Sequence, residues 1–111
     1  MKLAILNCLK ANRVCTGAAC LKALSERTHS FAPYAGEEIE LTAFLRCNGC
    51  GTSPREDAGI VEKLDRLQSI GTQVLHLGLC TNKKDTGECP TITQMAQMAQ
   101  ERGIRVVRGT H

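Results

Sequence analysis

Phe44-Leu45-Arg46-Cys47-Asn48-Gly49-Cys50-Gly51 is the stretch from which the fold is read, because an apolar run breaks there into a C-x-x-C turn. Just upstream, Glu38-Ile39-Glu40-Leu41-Thr42-Ala43-Phe44 alternates polar and apolar residues. That is the period of a half-buried strand, and its polar positions suit a sheet edge. Downstream, Ser53-Pro54-Arg55-Glu56 has the capping-box arrangement with Pro54 suited to the first helical position, and Ile60, Val61, Leu64 and Leu67 then recur at helical spacing as far as Gly71. The local unit is strand, cysteine turn, helix. It places two thiols near a helix N-terminus, where unpaired N–H groups favour the thiolate.

Outward from this unit the pattern repeats. Residues 2–7 form a short apolar strand that ends in Cys8, and after a loop holding Cys15 a helix opens at Thr16-Gly17 and runs to about Arg27, with Cys20 inside it. Residues 28–36, with Pro33 and Gly36, connect to the half-buried strand. Residues 73–77 are apolar enough for a central strand, and Gly78-Leu79 carries it into Cys80. A charged loop over residues 81–88 precedes Cys89-Pro90-Thr91, which opens a third helix with the stripe Ile92, Met95, Ala96 and Ala99. Residues 104–107 supply a fourth strand leading to Gly109-Thr110-His111.

Four strands alternating with three helices predict a three-layer α/β domain spanning residues 1–111, with an open parallel four-stranded sheet in the flavodoxin-like, Rossmann-like order 2-1-3-4. In such sheets ligands sit beyond the C-terminal ends of the strands. Cys8, Cys47, Cys50, Cys80 and His111 all follow strand ends, so one edge should collect them. Cys8, Cys47, Cys50 and Cys80 would suffice for zinc or for an iron-sulphur cluster, both of which take four ligands. Cys89 at a helix cap and Cys15 in the first strand-to-helix loop join them as candidate metal ligands. Cys20 is nearly as well read as a core residue, His76 as packed or hydrogen-bonded, and His29 as solvated. The competing chemistry is a thiol-disulfide oxidoreductase using Cys47 and Cys50.

Composition narrows the field. Seven cysteines in 111 residues, with an apolar N-terminal stretch too short for a signal peptide, point to a cytoplasmic, reducing setting in which dense thiols bind metal or do redox work. No run approaches the ~18 apolar residues of a membrane span, so no membrane partner is expected. Two Phe, one Tyr and a spread-out net charge of +3 leave neither a basic stripe nor stacking aromatics for nucleic acid. The composition names no protein partner, and it leaves open whether the chain is an enzyme.

The order Cys8, Cys15, Cys20, Cys47-Asn48-Gly49-Cys50, Cys80, Cys89-Pro90 and Gly109-Thr110-His111 resembles the CGGC-domain family along nearly the whole chain. That resemblance implies a metal-binding domain, on the strength of the family's cysteines and histidines. One departure is Asn48, which stands where the family's central motif has glycine. Asn tolerates left-handed backbone angles, and its amide would be available to bond a ligated sulphur.

Overall fold

β1 (Lys2–Asn7) is buried over its last five residues, as an apolar strand flanked by partners on both sides must be. The structure is a computed structural model that describes residues 1–51 and 53–111. β1 pairs in parallel with β2 (Glu40–Arg46) on one side and with β3 (Val74–Leu77) on the other, and β3 pairs in parallel with β6 (Arg105–Arg108). The sheet order β2-β1-β3-β6 is the predicted 2-1-3-4. The two strands with polar residues lie at the edges, as expected. Between β3 and α3 the charged loop carries a short antiparallel hairpin, β4 (Asn82–Lys83) with β5 (Gly87–Glu88), for which the sequence offers no strand pattern.

Alternation along the strands divides the core into two layers. Ala4, Leu6, Leu75 and Leu77 face α2 (Ala58–Ser69) and α3 (Pro90–Glu101), packing on Ile60, Leu64, Leu67, Ile92, Met95, Ala96 and Ala99. Leu3, Ile5 and Val74 face the opposite side, where α1 (Ala18–Glu26) contributes Cys20, Ala23 and Leu24. Phe31 and Tyr34 complete that second layer from a short 3-10 segment, His29–Tyr34, inside what sequence presented as a plain connection. Each fully buried Leu or Ile contributes about 1.5–3 kcal/mol of transfer free energy. A core with so few aromatic residues therefore depends on the number of its aliphatic side chains.

His76 lies wholly buried in β3 against the Phe31 ring, with centroids 4.4 Å apart. Its Nδ1 lies 2.9 Å from the Gly109 carbonyl oxygen, and its Nε2 lies 2.8 Å from the Tyr34 hydroxyl. A carbonyl can only accept, so Nδ1 carries a proton; burial disfavours the imidazolium, and in the neutral ring Nε2 accepts from Tyr34. Burial holds its pKa below the ordinary histidine value, the Gly109 carbonyl opposing and the Arg105 charge assisting. The unfolded chain consequently binds more protons below its own pKa of about 6.5. The stability carried by neutral His76 is present above that pH and is lost as pH falls below it. We expect the urea midpoint to drop between about pH 7.5 and pH 5.5, and His76→Gln to flatten that dependence; equal slopes in the two proteins would contradict this account.

Candidate metal centre

Cys8 and Cys47 directly follow β1 and β2, and Cys80 lies in the 3-10 turn Leu79–Thr81 after β3, so the sheet gathers these thiols at one edge as its topology requires. The chain leaving β1 organises them. Cys8 is extended, with φ −74° and ψ 130°, so its N–H and that of Leu9 point to opposite sides of the chain. The Cys8 N–H donates to Cys80 Sγ at 3.3 Å, and the Leu9 N–H donates to Cys47 Sγ at 3.4 Å. One segment of backbone thus stands between two of the thiols expected to share a site.

Two groups result. Cys47 is buried in the layer beneath α2 and α3, where Cys89 packs as well, and Cys50 lies exposed on the turn that follows Cys47. On the α1 side, Cys8 and Cys15 line a small pocket with Asn7, Asn12, Gly17, Phe44 and Arg46, and charge at Cys8, Cys20 and Cys15 is felt at Cys80. Cys15 Sγ accepts the Gly17 N–H at 3.3 Å. Cys20 is buried and shares a hydrogen bond with the Thr110 hydroxyl at 3.2 Å, which ties α1 to the chain end and gives it a structural partner. His111 and His29 are exposed, at a separate surface pocket beside α1.

The electrostatics of the two groups differ. Burial pushes the Cys80 thiol above its ordinary range, the Cys8 amide pulling it down and the nearness of Cys8, Cys20 and Cys15 pushing it further up. Burial raises Cys89 as well, but there the N–H groups of Ile92 and Thr91, the Thr91 hydroxyl and the Cys50 thiol outweigh it. Cys89 is held below the usual thiol range at the start of α3. A helix start with Pro90 at its first position and a thiol at its cap is the arrangement the sequence suggested, and this part of the reading carries through to the structure.

The C-x-x-C turn itself departs from expectation. Ser53 makes no side-chain cap, residues Pro54–Glu56 form only a short 3-10 turn, and α2 begins after Asp57, whose carboxylate accepts from the N–H groups of Gly59 and Ile60. Asp57, four positions beyond Ser53, is the better acceptor at the cap, and it moves the helix start away from the two cysteines. Asn48 does not bond a sulphur. Its amide nitrogen donates to Asp57, while its oxygen accepts from Lys63 Nζ at 2.8 Å. The left-handed angle falls on Gly49, with φ 104°, so a residue with a Cβ at position 48 meets no backbone strain.

Sequence reasoning overlooked Asn7. It is the one polar residue closing an otherwise apolar strand, and that was the available signal. Its Oδ1 is buried and accepts no hydrogen bond from the described residues, a condition worth about 1–3 kcal/mol against the fold. A Cβ on Gly78 would lie 2.1 Å from that oxygen and 3.4 Å from Cys80 Sγ. Only glycine fits between them.

Fold and site together define a thiol-rich α/β domain whose cysteines crown the C-terminal edge of a parallel sheet. The model of the CGGC domain matches residues 2–111, and the chain belongs to the CGGC-domain family, a family associated with metal binding. Comparison with curated proteins and with solved structures gives no match. Among the described residues no helix is long and apolar enough to cross a membrane.

The residues fit a soft metal in their chemistry, since thiols at this edge accept backbone N–H groups suited to stabilising thiolates. Their placement is less complete: among the described residues no three His, Cys, Asp or Glu side chains are grouped closely enough to hold one ion. Closing a coordination shell would require side-chain rotation within a group. Gly78→Ala is expected to displace Asn7 and Cys80 together and to cost about 1–3 kcal/mol by overpacking. A thermal midpoint equal to that of the parent would show that this junction tolerates the methyl group.

Proposed function

We propose that the protein binds zinc or an iron-sulphur cluster through thiolates of Cys8, Cys15, Cys47, Cys50, Cys80 and Cys89. The observation that carries the reading is the backbone's treatment of the sulphurs. Cys80, Cys47 and Cys15 each accept a main-chain N–H, and Cys89 is stabilised by those of Thr91 and Ile92. Such bonds offset negative charge on sulphur before any metal arrives, and a buried thiol such as Cys80 needs a cation to favour its thiolate. Family membership supports the same chemistry.

Cys47, Cys50 and Cys89 would form one ligand set, and Cys8, Cys15 and Cys80 the other. Bound zinc would supply a Lewis acid where a coordination position stays open, and a cluster would supply electron transfer. The chain's own part is to hold the thiolates, shield Cys47 and Cys8 from solvent, and present the more exposed Cys50 and Cys15 at the rim. The oxidoreductase reading with Cys47 and Cys50 as its pair has less support, because Cys47 is buried and already bonded to Leu9.

Anaerobic purification followed by elemental analysis and a visible spectrum tests the proposal. Brown protein containing iron and sulphide selects the cluster, and colourless protein with stoichiometric zinc selects zinc. Cys47→Ser and Cys50→Ser should each lose the metal of their set, while Cys20→Ser should retain the parent content. Equal metal in all three variants would remove this ligand assignment.

A further inference from the structure

We propose that Asn48, Lys63 and Asp57 form a latch that fastens the C-x-x-C turn to the start of α2, a positioning role that rests on the reading of Cys47 and Cys50 as thiolate ligands. The latch sets which thiol faces inward and which faces out. The turn has little of its own to hold it. Gly49 and Gly51 both sit at left-handed angles, with φ 104° and 92°, and among the described residues no main-chain to main-chain hydrogen bond is made by residues 48–51. Cys47, just before Asn48, is buried, and Cys50, just beyond Gly49, is exposed.

Asn48 supplies what the backbone lacks. Its Oδ1 accepts from Lys63 Nζ at 2.8 Å, and its Nδ2 donates to the two oxygens of the Asp57 carboxylate at 3.2 and 3.4 Å. The partners fix the orientation of the amide, because an ammonium can only donate and a carboxylate can only accept. The same Lys63 ammonium donates to the Arg46 carbonyl oxygen at 2.8 Å, at the last residue of β2. One cation thus grips the chain on both sides of Cys47. Asp57 likewise serves twice, since its Oδ1 also accepts the N–H groups of Gly59 and Ile60 as the cap of α2.

Gly59 keeps room for this contact. Its backbone is not left-handed, and it stands in the first turn of α2, where glycine is a poor helix former. A Cβ there would lie 3.0 Å from Asn48 Nδ2 and 3.2 Å from Asp57 Oδ1, so a side chain would press on the bond between them. Asparagine is also the shortest side chain that offers an acceptor to Lys63 and a donor to Asp57 at once. Aspartate would set a second carboxylate against Asp57, and glycine would supply neither bond.

The test uses the full chain, reduced and stripped of metal by a chelator, then pulsed with iodoacetamide. Cys47 and Cys50 lie between Arg46 and Arg55 and leave on one tryptic peptide, so fragment-ion mass spectrometry reads each thiol separately. Asn48→Ala and Lys63→Met should each speed alkylation of Cys47 by about tenfold as the turn opens locally, while Lys63→Arg should keep the parent rate. Asp57 is left intact, since its loss would also uncap α2. Cys20, buried on the α1 side, should react at the parent rate in every variant. A zinc titration of the same proteins gives the second readout. Protection of Cys47 and Cys50 should require about tenfold more free zinc in Asn48→Ala and Lys63→Met, with Cys8, Cys15 and Cys80 protected as in the parent. Parent rates for Cys47 in both variants, or equal acceleration of Cys47 and Cys20, would overturn the latch. A parent chain that zinc does not protect would count against the metal reading alone, and the metal-free rates would then decide for or against the latch.

Discussion

Two consecutive main-chain N–H groups at the end of β1 organise the thiol-bearing edge of the sheet. That of Cys8 reaches Cys80 on the β3 side and that of Leu9 reaches Cys47 on the β2 side. These bonds exist because β1 is central, extended to its last residue and flanked in parallel by both neighbours. A sheet of any other order would deliver Cys47 and Cys80 to different places. The same backbone also separates what it organises, because sulphurs on opposite sides of one extended chain do not face each other.

From that division follow the distinct environments of the two thiol groups. The α1-side group lies near the buried, unpaired Asn7 oxygen, and its Cys80 is disfavoured as a thiolate. The group under α2 and α3 includes the cap of α3, where amide groups favour a thiolate at Cys89. Positive charge would matter most at the first group, and nucleophilic reactivity at the second. His76, at the layer between β3 and the Phe31–Tyr34 segment, steadies the chain end from which Thr110 reaches Cys20.

Much of the fold was legible in the sequence because its signals were periodic and local. The apolar run before Cys8, the stripe Ile60, Leu64, Leu67 and the Cys89-Pro90 helix start all lie where the pattern placed them, and the strand order followed from which strands were polar. The hidden features depended on competition or distance. Ser53 and Asp57 are both good caps, and only the turn's closure decides that Asp57 is used. The segment after the C-x-x-C turn is tied to α3 by Ser53 with Gln94 and by Arg55 with Glu101, residues that carry no sequence signature of partnership. Convergence on one edge could be inferred, whereas the side of β1 on which each sulphur lies could not.

The central claim is that these edge thiols act as thiolates in two sets divided by the end of β1. Cysteine alkylation footprinting of the reduced, metal-free chain during a zinc titration tests it most directly. The account predicts that Cys47, Cys50 and Cys89 lose reactivity together, and that Cys8, Cys15 and Cys80 do so as a second set. Protection of Cys8, Cys47, Cys50 and Cys80 in a single step, or no protection of any thiol at stoichiometric zinc, would contradict it.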